Sequence, residues 1–341
     1  MKMPFTGFVA AIALRDSFAP SASSLRKIIH PFLRRSGSVA RIATSRALSS
    51  ASGDFEYPLA GKTALVTGSS GGIGAAIAIS LASSGADVIV HYNKRREGAA
   101  STCRRIDSSP GGRCLGMVRA DFRDPCGVEE MFLAATRDAR VDILVNNAGI
   151  VTKLAVEDDD DDLSVWHETM AVNLHAPVQL SRLAHKHMKA NGGNGVIVNN
   201  SSIHGAVSVE YMTAYAASKA ALDSVTRGLA LEYAADRVRV NAVAPGVVPV
   251  ERTEKILNRP ESQSLWAPHL PVGRMGTTEE VAEVVLGMVC NEWVNGAVWT
   301  VDGGMLARSN MPIRPRPSIE TSKKEQKIKR VKWEEMEILK E

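Results

Sequence analysis

Cysteine, aromatic residues and long apolar runs are all scarce in this chain, and each scarcity removes a class of protein. The four cysteines (Cys103, Cys114, Cys126, Cys290) form no CxxC pair and show no metal-ligand spacing. No metal site is expected, and the four read as structural thiols of a reducing compartment rather than a disulfide framework. No apolar run reaches the roughly 18–20 residues that span a bilayer. Aromatic residues make up 5% of the chain, which gives no sign of a pocket walled for flat ligands. Hydrophobic residues make up 45%, enough for a sizeable core, so a mostly disordered protein is excluded.

Acidic residues are missing from one end only. Residues 1–53 hold eight Lys/Arg against the single acid Asp16, whereas residues 54–310 hold 24 against 30. The net charge of +4 therefore conceals a mildly acidic body with basic ends. Such a body argues against nucleic-acid binding, which needs a basic face to neutralise phosphates. The Ser- and Arg-rich leader, with short amphipathic stretches at 5–14 and 25–33, has the composition of an organellar transit peptide. Arg46 stands three residues before Ser49 in "SRALSSAS", as at a mitochondrial processing site. The mitochondrial matrix is the expected destination and a plastid the alternative. Residues 309–341 read as a charged, solvated tail.

Between these ends, residues 54–308 read as one domain. "KTALVTG", "ADVIVHY", "VDILVNNAG", "NGVIVNNSS", "RVRVNAVAPG" and "GAVWTVDGG" are short apolar runs bounded by glycine or polar residues. Continuous apolar strands are expected where helices cover both faces of a sheet. Helical stretches are predicted over 73–84, 128–139, 174–190, 215–234 and 278–290. Alternating strands and helices imply an α/β fold of the Rossmann type, a doubly wound parallel sheet in a single domain.

The first strand runs into Thr67-Gly-Ser-Ser-Gly-Gly-Ile-Gly74. Glycines permit a tight strand-to-helix turn and close approach of a ligand, and N–H groups at a helix start favour a pyrophosphate. Gly68, Ser69, Ser70, Gly72, Ile73 and Gly74 are the candidate contacts. A dinucleotide with a free ribose 2′-hydroxyl usually meets an acid about 20 residues later. Here the second strand ends in His91, Tyr92, Asn93, Lys94, Arg95 and Arg96. Tyr92, Asn93, Lys94 and Arg95 are candidate contacts, and the cations favour a 2′-phosphate. NADP(H) is preferred and NAD(H) is the alternative.

Seven motifs then occur in order: the turn, "NNAG" from Asn146, "VNL" with Asn173, "NSS" ending at Ser202, "YAASK" from Tyr215 to Lys219, "NAVAPG" ending at Gly246, and "VDGG" from Val301. On these the chain resembles the short-chain dehydrogenase/reductase family over about residues 61–305, and 3-oxoacyl-[acyl carrier protein] reductases within it. The resemblance implies carbonyl–alcohol interconversion by hydride transfer. Tyr215 is implied as proton donor, Ser202 as the group holding the substrate oxygen, and Lys219 as the cation that lowers the Tyr215 pKa and binds the nicotinamide ribose, so that Tyr215 and Lys219 are cofactor contacts as well. Asn173 is implied as the holder of a water linked to Lys219. Asp121 is expected near the adenine, with Asn147 beside the adenosine ribose and bracing the third and fourth strands. Ala148, Gly149, Pro245, Gly246 and Val248 complete the cofactor contacts.

The residues themselves agree: Tyr215 and Lys219, four apart on a helix, share a face, and an adjacent ammonium favours a phenolate. Ser201 rivals Ser202, but its distance from Tyr215 fits the family less well. The chain departs from the family's pattern at Gly71, where users of NADP often carry a cation. It departs again at Val250, where a Thr is usual; Thr253 follows shortly after. A small carbonyl or alcohol substrate is expected, an acyl thioester among the candidates, and the family implies a homotetramer using residues 216–234. A catalytically silent dinucleotide-binding scaffold is the alternative function. The acids at 157–162 are expected to be a solvated loop, and Trp166 and Trp299 to be packing residues.

Overall fold

In the computed structural model, residues 57–307 are described; the expected transit peptide and charged tail lie outside them. Seven parallel strands form one sheet: β1 (Thr63–Val66), β2 (Asp87–Tyr92), β3 (Cys114–Arg119), β4 (Ile143–Asn146), β5 (Val196–Asn200), β6 (Arg239–Pro245) and β7 (Val298–Val301), in the order β3-β2-β1-β4-β5-β6-β7. The expected doubly wound sheet is present. Side chains alternate between its faces, so β1 sends Ala64 and Val66 into one core and Leu65 into the other.

The helices sort onto these two cores. α1 (Gly72–Ser83), α2 (Arg96–Asp107), α3 (Pro125–Ala135) and α4 (Ser164–Met170) precede a π-helical turn, Ala171–His175, that leads into α5 (Ala176–Ala190). α6 (Thr213–Glu232), the short α7 (Glu254–Leu257) and α8 (Pro260–Trp266), and α9 (Thr278–Cys290) complete the chain. Ile77 and Leu81 of α1 pack with Val285 and Met288 of α9 on one face; Val128, Phe132, Leu180 and Met188 of α3 and α5 pack on the other.

Five elements were not expected: β3, α2, α4 and the short α7 and α8. β3 is a half-exposed edge strand interrupted by Gly116, and α2 buries only Ala99, Thr102 and Ile106. α4 begins where Asp159 accepts from Val165 N and Trp166 N and Asp160 accepts from Ser164 N. Two members of the acidic run are thus helix caps, a role that suits carboxylates at a positive helix start. The expectation of four free thiols is corrected as well. The last turn of α2 lies over the start of β3, and Cys103 and Cys114 are disulfide-bonded there with Cα atoms 5.2 Å apart. Trp299 sits 38% exposed on the edge strand β7, so it is no packing residue.

The strand order reverses between β1 and β4. Loops leaving the C-terminal ends of those two strands diverge, and a crevice opens there. The glycine-rich turn follows β1 and Asn147–Gly149 follow β4, so both motifs face one opening.

Candidate active site

The turn is held by side chains from three strands. Thr67 Oγ1 accepts from Asn147 N at 2.9 Å and Ala148 N at 3.0 Å and donates to Val145 O at 3.2 Å. Ser69 Oγ donates to Val66 O at 2.7 Å, and Gly68 N–H donates to Nδ1 of the buried His91 at 2.9 Å. Two glycines are required. Gly68 has φ +64°, and a Cβ there would come 2.8 Å from Ala148 Cα; a Cβ on Gly74 would strike the Asn147 amide and the Gly68 carbonyl. The outer side of the turn is therefore bare backbone. Its Gly72 N–H donates to a carboxylate, Glu251 Oε1, at 3.1 Å. A turn that already takes an anion fits a dinucleotide's phosphates.

Asn147 was expected to brace the third and fourth strands. It instead ties the ends of β1 and β5 to β4: its Nδ2 donates to Thr67 O at 2.9 Å, and its Oδ1 accepts from Asn200 Nδ2 at 2.8 Å. The sheet order explains the correction, because β4 lies between β1 and β5 while β3 is the far edge.

Tyr92 and Asn93 are half-buried at the end of β2, and Lys94 and Arg95 are exposed. Asp121 follows β3 closely and pairs with Arg123, which also reaches Glu168 of α4 at 3.3 Å. The Arg123 hydrogen bond holds the Asp121 carboxyl well below the usual carboxylate range. Pro245 ends β6; Gly246 abuts Asp302 of the "VDGG" segment, and Val248 packs on the core shared by α1 and α9.

The second group lies where β5 meets α6. Ser202 follows β5, is buried, and stands near enough to Tyr215 for its hydroxyl to pull the phenol pKa down. Lys219, one helical turn along α6, donates from Nζ to Asn200 O at 2.7 Å, with Nζ 5.7 Å from the Tyr215 ring centroid. Asn173 sits in the π-helical turn: its Oδ1 accepts from Ile150 N at 2.8 Å, and its Nδ2 donates to Ile150 O at 2.9 Å and Ser218 Oγ at 3.2 Å. Gly149 abuts this set, since a Cβ there would lie 3.2 Å from Asn173 Oδ1 and 3.8 Å from Lys219 Nζ. Asn173, Ser202, Tyr215 and Lys219 are thus brought together, whereas Ser201 turns inward toward Lys219 O at 3.4 Å.

Electrostatics refine the expectation for Tyr215. Burial pushes its phenol up, while the Ser202 hydrogen bond and the charge of Arg252 pull it down less. Burial lowers Lys219 to about 8, and Asp223 opposes that shift. In the protein alone the phenol thus keeps its proton, and the groups that pull it down are Ser202 and Arg252 rather than the expected Lys219. Sequence reasoning assigned no role to Glu251, Arg252 and Arg123, whose partners are distant in the chain or lack any motif. His204, two residues after Ser202, stands edge-on to Tyr215 with ring centroids 5.9 Å apart.

A parallel sheet with a glycine-rich turn at its switch point and a Ser–Tyr–Lys group beside it defines a dinucleotide-dependent oxidoreductase. Residues 68–306 match the family model described as enoyl-(acyl carrier protein) reductase. The chain is 36% identical over 250 residues to 3beta-hydroxysteroid dehydrogenase 1 of Eggerthella lenta, covering 72% of this chain and 94% of that protein. It is 37% identical over 252 residues to the L-tagatose-forming galactitol 2-dehydrogenase of Cereibacter sphaeroides, covering 73% and 96%. A crystal structure of a putative 2-deoxy-D-gluconate 3-dehydrogenase from Agrobacterium tumefaciens, with bound NADP, aligns with a TM-score of 0.66 at 32% identity, covering 75% of this chain and all of that one. The chain belongs to the short-chain dehydrogenase/reductase family, and it is an NAD(P)-dependent oxidoreductase of carbonyl and alcohol groups.

Proposed function

We propose that the protein is an NADP(H)-preferring reductase of a small carbonyl substrate, working through Tyr215, Ser202, Lys219 and Asn173. The grouping of Ser202 with Tyr215, and of Lys219 one turn along the same helix with its Nζ 5.7 Å from the Tyr215 ring centroid, carries this reading. A bound nicotinamide supplies the hydride. Ser202 Oγ holds the substrate oxygen, and Tyr215 donates its proton to that oxygen as the carbonyl becomes an alcohol. Lys219 places a positive charge near the phenolate left behind, and Asn173 fixes the Gly149–Ile150 loop beside it. The raised phenol keeps its proton at neutral pH, as a proton donor in reduction must.

NADP preference is supported by Lys94 and Arg95 at the end of β2, where the chain has no acid, and by the NADP bound in the Agrobacterium relative. Arg95→Ala is expected to raise KM for NADPH about tenfold or more, as loss of a charged hydrogen bond does, with NADH changing far less. Equal effects on both cofactors would remove Arg95 from 2′-phosphate recognition. The direct test of the function pairs NADPH or NADH with β-ketoacyl thioesters, diketones and sugars and follows absorbance at 340 nm. A 3-oxoacyl thioester is the first substrate to try.

Assembly as a homotetramer is supported by apolar side chains left on the surface: Leu231 of α6 is 80% exposed and Trp293, before β7, 96%. Light scattering on the purified protein would give the oligomeric mass. Among the described residues no helix is long and apolar enough to cross a membrane. The leader is proposed to direct the protein to the mitochondrial matrix, with a plastid as the other outcome of imaging a full-chain fusion.

A further inference from the structure

The segment after β6 returns across the mouth of the glycine-rich turn, and Glu251 rests on it. Gly72 N–H donates to one carboxylate oxygen at 3.1 Å, and the other oxygen lies 3.9 Å from Arg95 Nη1. Gly71 lies beneath this pair: a methyl added there would approach the carboxylate to 2.7 Å and the guanidinium to 2.9 Å. Val250 covers Gly72 from the same side, 3.1 Å from a Cβ built there. The turn's N–H and the cation after β2 are the groups a dinucleotide's phosphates require.

We propose that Glu251 is a built-in competitor of the cofactor's phosphates, a carboxylate latch that must leave Gly72 and Arg95 for a dinucleotide to bind. This rests on the dinucleotide site described above. The Gly72 N–H already serves the Glu251 carboxylate, so a phosphate oxygen that takes it must displace that carboxylate, and the two anions repel each other besides. The latch sits on a small closed turn, in which Thr253 N and Glu254 N each donate to Val250 O at 2.7 Å and Thr253 Oγ1 accepts from Val250 N at 3.1 Å. The Thr253 hydroxyl is thereby spent locally and is no ready substitute for the Thr the family places at Val250. The same turn carries Arg252 into electrostatic range of Tyr215, so a displaced latch also changes the field at the phenol.

Both NADP and NAD must displace Glu251 from Gly72, but only NADP offers Arg95 a second anion in exchange. Calorimetric titration of the full chain with NADP and with NAD tests this, comparing wild type with Glu251→Gln and Glu251→Ala. Both variants are expected to bind both dinucleotides roughly three- to tenfold more tightly, the scale of an exposed ion pair together with a removed repulsion. A gain in affinity cannot come from a damaged fold, and Glu251 is 51% exposed, so the readout is free of that ambiguity. Equal or weaker binding by the variants overturns the latch while leaving the dinucleotide site intact. Absence of binding in all three proteins overturns the site and the latch together.

Discussion

Tyr215→Phe is expected to lower kcat for carbonyl reduction by about 10²- to 10⁴-fold, the range general acid catalysis supplies. The substitution keeps the ring, with its edge-on contact to His204 and its place beside Lys219 Nζ, and removes only the hydroxyl that meets Ser202. Dinucleotide affinity should therefore stay within about twofold, because no hydrogen bond of the glycine-rich turn involves the phenol. The measurement is a pair: kcat from the 340 nm assay and Kd from titration. A variant that turns over like the wild type would remove Tyr215 from the chemistry; one that loses turnover and cofactor binding together would point to a structural role.

The same group sets a pH dependence whose sign is fixed by two shifts. Burial raises the Tyr215 phenol and lowers the Lys219 ammonium to about 8. Below pH 8 both carry their protons, which reduction needs. As pH rises through about 8, Lys219 loses its charge first, so the reductive rate should fall there. Alcohol oxidation, which needs Tyr215 as a base, should rise over the alkaline range. A reductive rate flat to pH 10 would separate the Lys219 charge from the reaction.

What could be read from the sequence followed from how local each signal is. Five strands announce themselves because both of their faces are buried, as in Ala64–Val66 and Ile143–Val145, and their residues are almost all apolar, while the edge strand β7 shows through its apolar run alone. β3 does not, because an edge strand buries little and Gly116 breaks its run. Ser202, Tyr215 and Lys219 are legible as one motif, because a strand end and a helix face bring them together within a few turns. Glu251 and Gly72 stand 179 residues apart, and nothing at either position marks the other as its partner. Thr253 shows the opposite failure: the residue type was suggestive, but a tight turn claims its hydroxyl.

His91 belongs to that second, non-local kind, and it governs how the turn responds to acid. Its ring is 2% exposed and stacks on Phe122 with centroids 4.6 Å apart. Nδ1 accepts from Gly68 N–H at 2.9 Å, and Nε2 lies 3.3 Å from Ala120 O. A carbonyl only accepts, so the proton belongs on Nε2 and Nδ1 must stay bare. Protonating Nδ1 would set one N–H against another inside the core, and burial already lowers the His91 pKa from 6.5 to about 4. In the unfolded chain the imidazole takes its proton near its ordinary value, so between pH 6.5 and about 4 the unfolded state binds more protons. Stability from this group is full above pH 6.5 and declines as pH falls, by about 3 kcal/mol over the window at 1.4 kcal/mol per pH unit. Urea unfolding of wild type and His91→Asn at pH 7 and pH 4.5 isolates the term, since Asn does not titrate and its amide oxygen can still accept from Gly68. The wild type should lose about 2–3 kcal/mol more than the variant on going to pH 4.5. If the two proteins lose stability in parallel, His91 titrates alike folded and unfolded, and the Gly68 hydrogen bond is not what holds the phosphate-binding turn in place.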